Sequence, residues 1–165
     1  MSRTYVVSAD NQTVSGAPQL TFLNPSAAGA GVPGFEILRC WVSQRANATS
    51  AQQGVRIGTK IATFPTLTAA TPAKTWLGDP TANLVGGTSG AAGTAGINSS
   101  ANGAGTEIGI IQDNFNVLNG WLWVPTPAET LMFMPGGTSG FFEQFTSTPG
   151  TLTGWSFGTV YREIG

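Results

Sequence analysis

The segment VRIGTKI, residues 55–61, decides the fold class because apolar and non-apolar residues alternate along it. Its valine and two isoleucines share one face of an extended chain, whereas Arg56 and Lys60 share the other. A period of two is the signature of a β-strand with one face in the core and one face in water. The segment therefore predicts a half-buried strand whose charged side chains face solvent.

Similar runs lie on both sides of this segment. Residues 35–43 and 115–124 are apolar on both faces, which predicts strands that are buried on both sides. The second run ends at Pro125 and Pro127, which cannot continue a strand ladder. Shorter candidate strands, separated by Asn-Pro, Pro-Gly and Gly-Asp-Pro turns, lie at residues 4–8, 19–23, 107–112, 130–134, 141–145 and 154–163. No segment has a sustained helical period, and residues 44–53 are interpreted as a connecting loop.

About eight or nine strands without helices must bury their apolar faces by packing one sheet on another. The chain is therefore predicted to be all-β, an antiparallel β-sandwich of jelly-roll or Greek-key type. Its mass of 17.0 kDa fits one domain, residues 1–165. Residues 78–105 are rich in Gly, Ala, Ser, Thr and Asn, and they predict a long Gly-rich loop. This loop is either an arm ordered by a neighbouring subunit or a mobile surface segment.

The charged residues are too few and too scattered for most kinds of recognition. They make up 9% of the chain, against about 25% in ordinary domains. The seven basic residues form no cluster, so binding to nucleic acid is not expected. A net charge of -1 gives little repulsion between copies and favours association. No apolar run reaches the roughly 18 residues of a membrane span, and the polar N-terminus predicts synthesis in the cytoplasm without translocation.

No catalytic, cofactor or metal site is predicted. The chain has no histidine, so the familiar catalytic triad is not available. Residues 29–34 match GxGxxG by letter, but the segment that follows is a strand and not the helix that a dinucleotide site needs. The single cysteine, Cys40, lies in an apolar run and is interpreted as a buried, unreactive thiol. A pair of carboxylates for glycoside hydrolysis stays formally open, with candidates Glu107, Asp113, Glu129 and Glu143, although solvated turn and edge charges are the preferred interpretation.

Adjacent apolar residues in a strand point to opposite faces, and one of those faces is available to another subunit. This argument selects Phe141, Phe142 and Phe133 as candidate interface residues. Leu84 and Val85, which are adjacent apolar residues within the Gly-rich segment, complete the set.

Two stretches carry a resemblance to a known class of proteins. Residues 37–59, with RCWVSQRANATSAQQGVRIGT, and residues 116–129, NVLNGWLWVPTPAE, resemble the capsid decoration, or cement, proteins of tailed bacteriophages. The resemblance implies a non-enzymatic β-sandwich or jelly-roll subunit, often a trimer or dimer. Such a subunit sits on the outside of the virion head, binds the major capsid protein and stabilises the shell.

Two other functions are open. A phage tail or spike module of the same fold would bind a host surface glycan through an exposed Trp or Phe. A small hydrolase would bring two of the carboxylates named above together in a cleft.

Overall fold

A computed structural model describes residues 3–25, 34–136 and 138–164. These residues form thirteen strands, and no helix occurs among them. Two sheets of almost wholly antiparallel strands pack against each other, so the prediction of an all-β antiparallel sandwich is confirmed. The finer assignment to a jelly roll or Greek key stays a prediction.

The first sheet has six strands in the spatial order β10-β3-β13-β1-β6, and β11 pairs with β3 beside β10. The long strands β3 and β13 pair along almost their whole length, and β1 pairs with the other edge of β13. The remaining strands of this sheet are only two or three residues long. The strand bounds are β1 (Arg3–Gln12), β3 (Gly34–Gln44), β6 (Ala73–Lys74), β10 (Trp121–Trp123), β11 (Leu131–Phe133) and β13 (Trp155–Ile164).

The second sheet has seven strands in the order β5-β8-β2-β12-β4-β9, and β7 pairs with β8. Its strand β9 is a long edge strand that pairs with β4, with a bulge between Ile57 and Gly58. The strand bounds are β2 (Gln19–Leu23), β4 (Gln52–Ile61), β5 (Thr66–Ala69), β7 (Val85–Gly86), β8 (Thr94–Ala101), β9 (Thr106–Asn116) and β12 (Ser139–Phe145).

The main core fills the space between the sheets and is dominated by aromatic and branched side chains. Phe145 and Trp155 meet edge to face with ring centroids 4.6 Å apart, and Phe35 stacks on Phe133 at 5.3 Å. A smaller cluster of Phe22, Phe142 and Leu67 packs separately, with Phe64 against it. On β12, Phe141 and Phe145 enter the main core and Phe142 enters the smaller cluster, so this strand of the second sheet is covered on both faces.

The structure corrects the prediction of a structureless loop at residues 78–105. This segment contains β7 and all of β8, and β8 is paired on one side with β2 and on the other with β5. Ladder hydrogen bonds come from the backbone, so a strand of Gly, Ala and Ser forms where neighbours are in place. Gly96 also meets a close approach, because a Cβ there would lie 2.8 Å from Leu67.

Two further predictions are corrected. The predicted strand at residues 115–124 is the end of β9 and the whole of β10, joined by a turn in which Gly120 has a φ of 72°. The charged face of β4 is not in water, because Lys60 is 0% exposed and Arg56 is partly buried. Turns next to the sheet cover that face, as described below.

Candidate functional site

A hydrogen-bonded cluster of Thr21, Cys40, Glu143 and Thr159 joins the two sheets inside the core. The Thr21 hydroxyl lies 3.0 Å from Glu143 Oε2, to which it donates, and 2.7 Å from the Thr159 hydroxyl. Cys40 Sγ lies 3.7 Å from the same Thr159 oxygen. All four residues are 0% exposed, so the cluster has no surface on which a substrate could bind.

Burial sets the protonation of this cluster. Burial raises the pKa of Glu143 well above its usual value, and hydrogen bonds from Thr21 and Thr159 oppose that shift. The pKa of Cys40 is also raised, first by burial and then by Glu143. A neutral, buried thiol is a poor nucleophile because the thiolate is the reactive form. The prediction that Cys40 is buried is confirmed, and the cluster is best understood as a structural link.

A second polar cluster is centred on Glu107 of β9. Lys60 Nζ contacts Glu107 Oε1 at 3.2 Å and also donates to the carbonyls of Gly103 at 3.3 Å and Gly105 at 3.2 Å. Arg56 forms an ion pair with the other carboxylate oxygen. Burial of Lys60 is tolerated because its ammonium group has a counter-ion and further acceptors. Gln19 Nε2 also donates to Glu107 Oε1 at 2.8 Å, so both oxygens of this carboxylate have partners within the chain.

The remaining candidate carboxylates have separate partners. Asp113 Oδ2 accepts a hydrogen bond from Trp121 Nε1 at 3.2 Å, and Glu129 Oε2 accepts one from Thr126 at 2.9 Å. Glu143 faces the core between the sheets, whereas Glu107 lies on the opposite face of the second sheet with Lys60. Within the described ranges, no cluster of three metal-ligating side chains occurs. Residues 29–33 of the GxGxxG match lie outside the described residues.

The structure places most of the candidate interface residues inside the chain. Phe141 and Phe142 are 0% exposed, Leu84 is 2% exposed and Phe133 is 6% exposed. Their side chains pack in this chain's own clusters and are not available to a second subunit, which corrects the prediction for these four. Both faces of β12 are covered from within the same chain. Val85 alone of the five is exposed, at 57%.

A groove of about 270 Å³ lies where the two sheets meet at one side of the sandwich. It is lined by Thr59 of β4, Ile110 of β9, residues 131–134 and Ser139. No charged side chain lines it, and its most exposed members are Met132 at 55% and Met134 at 65%. Polar atoms and apolar side chains share its lining, and the residues that line it offer no acid–base chemistry.

Exposed apolar side chains of β4, β9 and the β11 segment lie at or next to this groove, and we call them the edge surface. Ile61 belongs to it because it pairs with Ser139 of the groove lining across the β4–β12 ladder. Ile108 lies directly opposite Thr59 across the β4–β9 ladder, which places the two side chains on one face. The members of the edge surface are Ile61, Ile108, Ile110, Met132 and Met134.

A second apolar surface, the turn surface, consists of Trp76 and Leu77. Leu77 is 92% exposed and Trp76 is 57% exposed. The Trp76 ring packs over Gly78, where a Cβ would lie 2.6 Å from the ring, so the indole is held at the tip of the turn.

Sequence reasoning selected Phe133 for contact with another subunit, whereas the structure exposes its neighbours Met132 and Met134. It did not identify the β9 part of the edge surface or the turn surface. The alternation of Ile108 and Ile110 with Glu107 and Gly109 was a usable signal for a strand. It did not reveal that β9 is the last strand of its sheet. The run Thr75-Trp76-Leu77-Gly78 was likewise readable as an exposed turn with an apolar tip.

No protein-family model matches the chain, and no curated protein or solved structure resembles it at a significant level. The similarity to decoration proteins therefore stays a hypothesis. Among the described residues, none belongs to a helix with the length and hydropathy needed to cross a membrane.

Proposed function

We propose that this chain is a non-enzymatic structural protein of a virus particle: a capsid decoration protein that binds the outside of a bacteriophage head and stabilises the shell. In this role its partners are the major capsid protein and copies of itself. The observation that carries the proposal is the edge surface, where large apolar side chains stand in water around an uncharged groove. Contiguous apolar surface of this kind is typical of protein–protein contact.

The placement of the polar residues supports the same conclusion. The buried cysteine and glutamate form an interior link between sheets, and Glu107 is held by Lys60 and Arg56. These groups stabilise the fold and leave no reactive side chain in the groove. A subunit that acts by contact alone needs a stable body with apolar contact surfaces, and many weak contacts on one shell add up to strong attachment.

The proposal is tested on purified particles of the source phage. Quantitative mass spectrometry and cryo-EM are expected to find the chain at high copy on the outer surface of the head. Absence from particles, or a few copies confined to the tail, would contradict the proposal. Purified protein is also expected to bind shells that lack it and to raise the temperature at which those shells break.

A matched pair of variants tests the surface itself. Met132→Glu places a charge in the edge surface, and Leu152→Glu places one at a 41% exposed leucine that belongs to neither surface. We expect Met132→Glu to lower shell binding at least about tenfold, because desolvating one charge costs more than 1.4 kcal/mol. Leu152→Glu is expected to bind like the unaltered chain. Equal binding by both variants would show that the edge surface does not contact the shell.

Trp76 favours a second candidate function, a tail or spike module that binds a host glycan. An exposed indole held on a turn is a surface on which a sugar ring can stack. A glycan array would show binding that Trp76→Ala abolishes. Binding to no glycan, or binding that survives Trp76→Ala, would reject this function for the turn surface.

A further inference from the structure

Two Asn-Gly steps occur in this chain, Asn102-Gly103 and Asn119-Gly120. Such a step is open to an internal reaction, because glycine has no Cβ to block the approach of its backbone nitrogen to the asparagine carboxamide. The rate of that reaction depends on how tightly the structure holds the carboxamide and the nitrogen. The fold holds the two steps very differently.

The side chain of Asn102 is fixed by three hydrogen bonds. Its Oδ1 accepts from the Gln19 N–H at 3.2 Å and from the Ser99 hydroxyl at 2.6 Å. Its Nδ2 donates to the Ala17 carbonyl at 2.9 Å. The carboxamide therefore has partners at both ends and is partly buried. Turning it toward Gly103 would break all three bonds, each of which contributes to stability.

The side chain of Asn119 is much less restrained. It is exposed in the turn between β9 and β10, and no group of the described chain hydrogen-bonds its carboxamide. Gly120 has a φ of 72°, and its N–H donates to the Asn116 carbonyl at 3.2 Å. That carbonyl also accepts a shorter bond from the Asn119 N–H, at 2.9 Å, so it keeps a partner when the Gly120 N–H turns away. One backbone bond therefore restrains this step, whereas three side-chain bonds restrain Asn102.

We propose that Asn119 is a site of spontaneous deamidation, in which the Gly120 nitrogen attacks the carboxamide carbon, Cγ. A bond forms between Gly120 N and Asn119 Cγ, and the bond from Cγ to Nδ2 breaks. The departing group takes up the proton of the Gly120 N–H and leaves as ammonia, so that a five-membered succinimide remains. Water then opens the ring at one of its two carbonyls. Opening at the main-chain carbonyl gives isoaspartate and opening at Cγ gives aspartate, with no atom oxidised or reduced.

The products change the turn that leads into β10. Either product places a carboxylate where the chain had a neutral amide, which adds one negative charge to a net charge of -1. Isoaspartate also lengthens the main chain by one carbon atom just before β10, whose first residue, Trp121, lies opposite Val42 of β3. The modification needs no partner except water, and it accumulates as the protein ages. It goes beyond the proposed function and does not depend on binding to a shell.

Peptide mapping of aged protein tests the proposal. Purified protein is kept in mildly alkaline buffer and then cleaved after glutamate, because Glu107 lies between the two Asn-Gly steps and no Lys or Arg does. Electron-transfer mass spectrometry distinguishes isoaspartate from aspartate in each peptide. We expect Asn119 to deamidate at least about tenfold faster than Asn102, which corresponds to about 1.4 kcal/mol in activation free energy. Isoaspartate and aspartate are both expected at Asn119, because the succinimide opens to either.

The same incubation in urea is the control, because unfolding removes the hydrogen bonds that distinguish the two sites. There the two asparagines are expected to react at similar rates. Asn119→Gln is expected to eliminate nearly all of the ammonia released by the folded protein, because the longer side chain would have to close a six-membered ring.

Four results would overturn the proposal. Three concern rates: equal reaction of the two sites in the folded chain, faster reaction at Asn102, or reaction at Asn119 only after unfolding. The fourth is aspartate without isoaspartate at Asn119, because direct hydrolysis of the carboxamide gives aspartate alone.

Discussion

The hydroxyl oxygens of Thr21 and Thr159 lie 2.7 Å apart at the centre of the sandwich, one on each sheet. Through this contact, Glu143 on the second sheet is connected to Cys40 on the first. An interior hydrogen bond has direction and length requirements that apolar packing lacks, so it favours one alignment of the two sheets. Ionisation of Glu143 is therefore expected to change the stability of the whole fold.

Glu143→Gln is expected to stabilise the protein at neutral pH and to flatten its pH dependence. The folded-state pKa of Glu143 is raised above its ordinary value of 4.5. Stability from the protonated carboxyl is therefore fully present below about pH 4.5 and is lost as pH rises toward the folded-state pKa. The loss has a slope of at most about 1.4 kcal/mol per pH unit. Urea unfolding between pH 4 and pH 9 measures it.

Glu129→Gln is the control for this experiment, because Glu129 is an exposed carboxylate in a turn. Its unfolding curve should shift little relative to the unaltered chain at each pH. If Glu143→Gln and the unaltered chain lost stability in parallel as pH rises, the interior carboxyl would not be the source of the dependence.

Cys40 is expected to resist thiol reagents until the chain unfolds. Burial raises its pKa, and its 0% exposure keeps reagents away. At pH 8, labelling with a chromogenic disulfide reagent should be negligible in buffer and stoichiometric in urea. The labelling rate in buffer then reports the opening of the sandwich. Rapid stoichiometric labelling of the folded chain would contradict the described position of this thiol.

Glu107→Gln is expected to destabilise the protein strongly. The substitution leaves the buried ammonium of Lys60 without its counter-ion, and breaking a buried pair from one side costs about 3–5 kcal/mol. Asp10→Asn removes one partner of the exposed Arg45–Asp10 pair and is the matched control. Chemical denaturation should show a much smaller change for the control. Similar changes in both variants would mean that Lys60 finds other compensation.

Gly58→Ala is expected to destabilise the β4–β9 pairing by about 2–3 kcal/mol. A Cβ at Gly58 would lie 2.0 Å from the Ile108 carbonyl oxygen, and backbone atoms of a paired strand cannot move aside cheaply. Gly150→Ala is the control, because a Cβ there meets nothing within 4 Å. Its unfolding free energy should change by less than about 1 kcal/mol. Wild-type stability for Gly58→Ala would show that the bulge relaxes to admit a methyl group.

Most strands could be predicted because their signals are local. The run Gln19–Leu23 is a strand with the predicted bounds, and residues 35–43, 55–61 and 141–145 lie within β3, β4 and β12. Strand β8 could not be predicted, because its Gly, Ala and Ser side chains carry no strand signal. It forms through hydrogen bonds to β2 and β5, which are distant in sequence.

The candidate site was harder to predict than the fold. Phe142 was expected at an interface, but Phe22, Leu67 and Phe64 of the same chain cover it. Ile108 carried the usual pattern of a core strand, yet it is 46% exposed because no described strand pairs with the outer edge of β9. An apolar residue in a strand is buried or exposed according to which other segments stack on it. Its neighbours in sequence do not specify those segments.

The sequence by itself determined the class of fold. The signals are local: apolar residues alternate with a period of two, Gly and Pro mark turns, and no helical period occurs. Each signal depends on only a few neighbouring residues. The tertiary structure alone decided which faces meet water. Lys60 is buried because the carbonyls of Gly103 and Gly105 fold back over it, and Met132 is exposed beside a groove at the end of two sheets. Burial is a property of contacts between distant segments, and those contacts exist only after the sheets have stacked.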